Sequence, residues 1–330
     1  MIKKENLVKF FFLYCLGLIV PIIFTAYKHG VYSFNPKVVH ELCLPFYNEH
    51  TVYGACIAFL IPFLLILAVN GKSFGFSKKM SGFIWTVFVV FIAAEILSFS
   101  RAAWISLVAS LLMFIFLKLK FKFWHFLIIM LASVLLFVKY AEPLYTIAKD
   151  NNNISNRGEI KEHVLSVGNL NSDPSNLERV NRWLCAYRMF EDRPITGYGP
   201  GTYQFVYGPY QSVYEMTNIS TTAGDKGNSH SESLNYLSES GLPGFISFLL
   251  WILAAIGFGI RAYHKTKDPI IRNMVLAALL GFITFFVHGL VNSFIDQVKL
   301  ASLVFGSMAI IVVADIANKN TSKETISNGE

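Results

Sequence analysis

Repeated apolar runs of about twenty residues limit what this chain can fold into. Each run is long enough to cross the roughly 30 Å hydrocarbon core of a bilayer as a helix. The 330-residue chain is 54% hydrophobic and only 15% charged, whereas an average soluble domain carries about 25% charged residues. The sequence therefore predicts an all-α, polytopic membrane helical bundle of about eight spans. The predicted spans are 8–27, 51–70, 83–99, 102–118, 124–140, 245–262, 272–292 and 299–317.

Basic residues indicate which ends of these runs face the cytoplasm. If Lys3 and Lys4 are cytoplasmic, the segments on their side of the membrane carry fourteen lysines and arginines. The short segments on the other side carry only four, which are Lys28, Lys37, Arg101 and Lys299. Such an excess marks the cytoplasmic side, so both termini are predicted to face the cytoplasm. The net charge of +7 then reflects helix orientation, and a nucleic-acid partner is not expected.

This topology divides the chain into four parts. Residues 1–140 form spans one to five, and 141–244 form one large extracytoplasmic loop. Residues 245–317 form spans six to eight, and 318–330 form a cytoplasmic tail.

One helix of the loop is predicted to begin near Ser175, which stands in capping-box spacing with Glu178, and to end before Pro194. Its expected buried face is an apolar stripe at helical period, with Arg179 at the edge. The stripe consists of Val180, Trp183, Leu184, Tyr187 and Phe190.

A second short helix is predicted from Ser229, with Glu232 as its capping-box partner, to Gly241-Leu-Pro243. His230 then lies in the first turn, where the helix dipole disfavours imidazolium and keeps the ring able to accept a proton. The alternative for His230 is an ordinary polar surface residue.

Arginines are the candidate anion ligands of the loop and of the hairpin before it. Arg179 and Arg182 are one turn apart and would either clamp an anion or form a solvated helix face. Arg101 follows Ser98-Phe-Ser at a tight turn between two spans. It is either an interfacial anchor beside Trp104 or a fixed cation for a lipid-linked phosphate.

Other ionisable groups lie in the outer halves of the predicted spans. Glu95 is one, and His288, Asn292 and Asp296 recur at four-residue steps that would place them on one helix face. Ionisable groups in membrane helices usually face a cavity, although a buried structural network is the alternative. Their shared level predicts a site at the outer leaflet.

The loop also contains a glycine-rich turn, Gly197–Gly201, followed by several tyrosines. The spacing is not that of a phosphate loop, so a plain turn is favoured over backbone binding of phosphate. Tyr198 and Tyr203 would either stack on sugar rings or pack the loop's own small core. The spacings Asp-x-Asp, His-Glu-x-x-His and Cys-x-x-Cys are absent, so neither a metal site nor a cofactor is predicted.

Three motifs together resemble the O-antigen ligase and polymerase superfamily. They are Ser100-Arg101-Ala-Ala-Trp; Arg179-x-x-x-Trp183 leading into Arg193-Pro-Ile-Thr-Gly-Tyr-Gly-Pro-Gly; and His230-Ser-Glu-Ser-Leu running into Glu239-Ser-Gly-Leu-Pro-Gly before a span. Their order, spacing and topology are similar to the family's across about residues 40–310.

The resemblance implies a metal-independent glycosyltransferase of the bacterial inner membrane with its active site facing the periplasm. Its donor would be a glycan on undecaprenyl diphosphate. Arg101 and Arg179 would match the arginines that hold the diphosphate, and His230 the histidine that activates the acceptor hydroxyl. Arg182 carries over less clearly, and Glu95, His288, Tyr198 and Tyr203 are added as substrate-binding candidates.

The acceptor stays open between lipid A-core, which would make a ligase, and a lipid-linked repeat unit, which would make a polymerase. A transporter or lipid-binding scaffold with the same outer cavity is the alternative from another class, although the sequence shows no repeated halves. Family members usually have more spans before the Arg101 hairpin than this sequence has. Further alternatives are therefore a short member of the family, a fragment and an inactive truncated paralogue.

Overall fold

The computed structural model describes residues 4–150, 174–217, 220–221 and 227–327, and the regular structure within these ranges is helical throughout. Its longer helices are α1 (Lys4–Val31), α3 (His50–Val69), α4 (Lys78–Leu97), α5 (Arg101–Lys118), α6 (Phe123–Asp150), α7 (Pro174–Asp192), α9 (Glu232–Lys265), α10 (Pro269–Gly289) and α11 (Val298–Ser327). Two single-turn helices, α2 (Val39–Leu42) and α8 (Tyr203–Val206), lie between them.

Seven of these helices are long and apolar enough to cross a membrane: α1, α3, α4, α5, α9, α10 and α11. They confirm the predicted polytopic helical bundle. The fifth predicted span, 124–140, falls within the single helix α6. The sidedness of the helices stays a prediction.

The chain forms two compact units. The first consists of the chain up to Phe123, Ile252–His288 and the chain from Phe294 onward, and the second of Trp124–Trp251 with Gly289–Ser293. At the centre of the first unit is α3, which is apolar on every side and buried along almost its whole length. A Cβ at Gly281 of α10 would lie 2.6 Å from the Phe59 ring of α3, so this glycine lets the two helices approach closely.

The second unit has a small core between α7 and the tyrosine-rich segment that follows it. Cys185, Ala186 and Met189 of α7 pack against Tyr203 and Tyr207, whose rings are parallel at 5.3 Å. The predicted apolar stripe on α7 is therefore wrong in register: Tyr187 of that stripe is exposed. Asn181 and Arg182 lie on the buried side instead, because polar partners compensate for their burial, as described below.

Both predicted capping boxes are wrong. Helix α9 begins at Glu232, three residues after Ser229, and the Ser231 hydroxyl accepts the Leu234 backbone N–H at 3.5 Å. In α7, Ser175 lies inside the helix, and the Glu178 carboxylate binds side chains instead of turning back to the helix start.

The helix ends match the predictions more closely. Helix α7 ends two residues before Pro194. Helix α9 is interrupted at Gly241, where φ is 63° and ψ −165°, so a short helix followed by a span is confirmed.

The expected common face of His288, Asn292 and Asp296 is wrong. Helix α10 ends at Gly289, and the chain that follows is irregular up to α11. Asn292 and Asp296 therefore do not continue the helical face that carries His288. Within the second unit, Ser293 of this irregular segment contacts residues next to His230.

Candidate functional site

His230 lies in a short strap, Gly227–Ser231, that runs across α7 in the second unit. The His230 backbone N–H donates to the Asn228 side-chain oxygen at 2.9 Å, and its carbonyl accepts the Trp183 indole N–H at 3.1 Å. Its φ of 50° is left-handed, which is uncommon outside glycine and often found at functional sites. Three local constraints thus fix the His230 backbone against one face of α7.

The segment after α10 secures this strap from the other side. Asn228 donates to the Ser293 carbonyl at 3.2 Å, and the Ser293 hydroxyl donates to the Glu232 carboxylate at 3.2 Å. Glu232 is buried at the start of α9. One loop therefore holds the strap and the first turn of α9 together. Glu232, which the spacing assigned to a capping box, binds Ser293 of this loop instead.

The environment of His230 keeps the imidazole neutral. Burial lowers its pKa to about 4, and the positive charges of Arg179 and Arg182 act in the same direction, against a smaller opposing effect of Glu178. A neutral imidazole accepts a proton, so at neutral pH this ring is in the form that a general base requires. The predicted cause, a place in the first turn of the helix, is wrong, because His230 precedes the first residue of α9. The neutral state follows instead from burial and from the two guanidinium groups.

Arg182 is held by two neighbouring side chains and is almost fully buried. Its Nε donates to the Glu178 carboxylate at 2.7 Å, its guanidinium lies 4.2 Å from the centre of the Tyr207 ring, and its side chain is almost fully buried. Its Nη1 has no hydrogen-bond partner among the residues that the structure describes. The predicted alternative of a solvated helix face is therefore wrong for Arg182.

Gly227 makes this placement possible. A Cβ at Gly227 would lie 1.6 Å from the Arg182 Nη1, so the guanidinium lies directly against the strap backbone. No sequence pattern pointed to Gly227, because the contact joins residues 45 positions apart.

Glu178 organises the polar side of α7. Besides Arg182, its carboxylate accepts hydrogen bonds from Ser220 and from Thr217 at 3.1 Å. Burial alone would raise the pKa of Glu178, but the hydrogen bonds from Ser220 and Arg182 outweigh it and lower the pKa. The i,i+4 spacing of Glu178 and Arg182 was the signal that could have revealed this pair. Removing one member of such a buried pair typically costs about 3–5 kcal/mol.

Arg179 lies one turn before Trp183 and is only partly buried. Its Nη1 donates to the Asn176 side chain at a long 3.4 Å. Because its charge acts on His230, the structure brings three of the predicted site residues, His230, Arg179 and Arg182, into one cluster.

The glycine turn is joined to α9 by backbone hydrogen bonds. Tyr198 N–H donates to the Ser238 carbonyl at 3.2 Å, and Gly199 N–H to the Glu239 carbonyl at 2.8 Å. The Glu239 carboxylate accepts the Gly201 and Tyr203 N–H groups at 2.8 and 2.9 Å. These amides point inward, so the turn is a structural element and does not present them to a phosphate.

The two tyrosine candidates have structural partners. Tyr203 is 1% exposed, and its hydroxyl donates to the Arg182 carbonyl at 2.8 Å. It therefore packs beneath the arginine, and a sugar cannot stack on its ring while this packing persists. Tyr198 binds the Asp192 carboxylate and the Tyr210 hydroxyl, and its ring lies 4.5 Å from the Arg193 guanidinium.

In the first unit, Arg101 is the first residue of α5 and follows a tight turn. Phe99 has a φ of 50°, and the Ser98 hydroxyl donates to the Glu95 carbonyl at 2.7 Å. The Trp104 indole donates to the same carbonyl at 3.2 Å. These bonds fix the direction in which α5 begins, so the hairpin places a guanidinium at a helix N-terminus, where anions are favoured.

The other predicted candidates of the first unit, Glu95 and His288, are both almost fully buried. The Glu95 carboxylate oxygens have no hydrogen-bond partner within the described part of the chain. His288 packs edge-on against the Phe294 ring at 4.9 Å.

The four cysteines, Cys15, Cys43, Cys56 and Cys185, are buried free thiols. In the described ranges, no group of three or more His, Cys, Asp or Glu side chains is arranged to hold a metal ion.

Residues 86–249 match a family model described as O-antigen ligase. No curated protein matches the sequence. The matched segment contains Arg101, α7, the glycine turn, the strap and the break at Gly241, and thus every motif from which the resemblance was drawn.

Proposed function

Because the chain belongs, through residues 86–249, to the O-antigen ligase and polymerase superfamily, we propose that it transfers a glycan from undecaprenyl diphosphate to an acceptor hydroxyl. It is a multi-pass membrane protein of a glycan ligase or polymerase family. The finer proposal is an O-antigen ligase of the bacterial inner membrane with its site facing the periplasm. The acceptor is then a hydroxyl of lipid A-core.

The observation that carries this proposal is the neutral, backbone-fixed imidazole of His230 beside two guanidinium groups. In the proposed reaction, His230 accepts the proton of the acceptor hydroxyl as the oxygen attacks the anomeric carbon. The bond from that carbon to the diphosphate breaks, and the electron pair leaves with the diphosphate.

The departing diphosphate needs positive charge, and arginine provides it in a geometry that matches phosphate oxygens. We assign this role to Arg179 and Arg101, the residues that the family resemblance selects. Arg182 helps to bind the same anion, because its Nη1 is buried and has no partner among the described residues while Glu178 holds its Nε. With the guanidinium groups carrying the charge, the proposed mechanism is metal-independent.

Single replacements test the proposal in a strain that depends on this chain for surface polysaccharide. We expect His230→Ala, Arg179→Gln and Arg101→Gln each to abolish the glycan ladder on a gel of surface polysaccharide. The matched controls are His264→Ala and Arg272→Gln, which remove exposed side chains. Normal ladders from all three site variants would contradict the proposal.

The same gels separate the two acceptors. If the protein is a ligase, an inactive variant no longer attaches the transferred glycan to lipid A-core, and long chains stay on the carrier lipid. Loss of long chains with a single repeat unit still attached to lipid A-core would instead identify a polymerase.

A further inference from the structure

A hollow of about 510 Å³ opens along the flank of α1 in the first unit. Its α1 wall extends from Phe10 to Pro21, which is about 16 Å along a helix axis at 1.5 Å per residue. Exposed apolar side chains of α1, including Leu13 at 65% and Val20 at 59%, lie in this wall. Since α1 is one of the helices fit to cross a membrane, this flank faces lipid.

Gly17 keeps the hollow open. It lies in the wall, and a Cβ built there would have no heavy atom within 4 Å. A larger side chain at this position would therefore begin in open space.

Two lysines contact the loop that contributes Phe46 and Tyr47 to the lining of the hollow. The Lys299 ammonium donates to the Phe46 carbonyl and lies 4.3 Å from the centre of the Tyr47 ring. The Lys28 ammonium donates to the Leu44 carbonyl at 3.0 Å. Neither lysine forms a salt bridge with a residue in the described ranges, so their charge is not neutralised there.

A second apolar cavity of the same unit provides an internal comparison. It measures about 320 Å³ and is lined partly by Glu5 and Lys9, which lie within ion-pair distance at 3.8 Å. Its charges cancel, so it offers an apolar surface without a net charge for a headgroup.

We propose that the hollow along α1 binds one hydrocarbon chain of an anionic phospholipid, whose phosphate lies at Lys299 and Lys28. The apolar wall fits the chain, and the two ammonium groups attract the anionic headgroup. A docked protein helix is disfavoured, because membrane helices approach each other along several small residues and this wall offers only Gly17. The inference rests on the membrane location and is independent of glycan transfer.

Photocrosslinking of the full chain in phosphatidylcholine nanodiscs tests the site. The probe is phosphatidylglycerol with a photoreactive group on one acyl chain, and crosslinks to α1 are counted by mass spectrometry. We expect unlabelled phosphatidylglycerol to reduce these crosslinks at least fivefold, and extra phosphatidylcholine to leave them unchanged.

Two variants distinguish the binding site of the lipid's hydrocarbon chain from that of its headgroup. Gly17→Leu should reduce crosslinks to α1 at least fivefold, whereas Gly82→Leu, at an exposed and equally open position on α4, should not. The double variant Lys28→Gln with Lys299→Gln should keep the crosslinks but lose the preference for phosphatidylglycerol. Unchanged crosslinking in Gly17→Leu, equal competition by both lipids, or competition by polyprenyl phosphate alone would overturn the inference.

Discussion

At His230, burial and the two α7 guanidinium groups change the imidazole pKa in the same direction, to about 4. The arginines therefore have two effects in the proposed mechanism. They attract the diphosphate, and they keep the neighbouring base deprotonated before any substrate binds.

This coupling predicts the pH dependence of the transfer rate. A base with a lowered pKa stays active as the pH falls from 7 towards 5, and the rate declines only as the pH approaches about 4. In Arg182→Gln, one of the positive charges that lower the pKa is lost, so the pKa rises towards its ordinary value of about 6.5 and the decline begins at a higher pH. Rates measured from pH 4 to 8 on proteoliposomes check this, and an unchanged acid limb in Arg182→Gln would contradict it.

Gly227 provides a second residue-scale prediction. In Gly227→Ala, the new Cβ would lie 1.6 Å from the Arg182 Nη1, so the guanidinium must move relative to its contacts with Glu178 and Tyr207. We expect the transfer rate to fall roughly 10- to 100-fold, as small misplacements at active sites do. The acid limb should shift as in Arg182→Gln. Gly82→Ala, which has open space around its Cβ, is the control, and full activity of Gly227→Ala would refute the role of this contact.

At the scale of elements, two motifs that are distant in sequence form one backbone-to-backbone joint. The Gly197 turn and the Gly241 break both have φ near +60°, and a Cβ at Gly197 would lie 2.3 Å from the Glu239 backbone. Leu242 N–H also donates to the Pro194 carbonyl at 2.8 Å. The glycines of both motifs thus serve the joint that positions α7 and the start of α9.

Glu239→Ala tests this joint. It removes the acceptor of the Gly201 and Tyr203 N–H groups, and each buried N–H without a partner costs about 1–3 kcal/mol. We expect faster limited proteolysis between α8 and α9 and a lower unfolding temperature. Glu191→Ala, at an exposed position on α7, should resemble the unchanged protein, and equal proteolysis of the two variants would refute the joint.

The sequence predicted the spans, the end of α7 and the break at Gly241, because hydropathy, proline and glycine act locally. It failed on the buried face of α7, where apolar periodicity favoured Val180 and Tyr187 over Asn181 and Arg182. Burial of that polar face depends on Ser220, Thr217 and Gly227, which are distant in sequence. The His230 strap escaped prediction for the same reason, since its partners Trp183 and Ser293 come from other elements.

At the scale of the whole molecule, the membrane-spanning helices are shown and their orientation is a prediction. The excess of lysine and arginine on one side predicts that the segment containing α7 and His230 lies outside the cytoplasm. A cysteine at Val213, which is 82% exposed, should react with an impermeant maleimide in intact spheroplasts. A cysteine at the exposed Lys72 should react only after lysis, and the opposite result would reverse the topology.

The most direct test of the account is transfer by the purified protein in proteoliposomes. The substrates are undecaprenyl-diphosphate-linked glycan and lipid A-core, and the product is counted over time. The account predicts steady product formation by the unchanged chain and by His264→Ala, and a rate at least about 100-fold lower for His230→Ala. Equal rates for His230→Ala and the unchanged chain would contradict it.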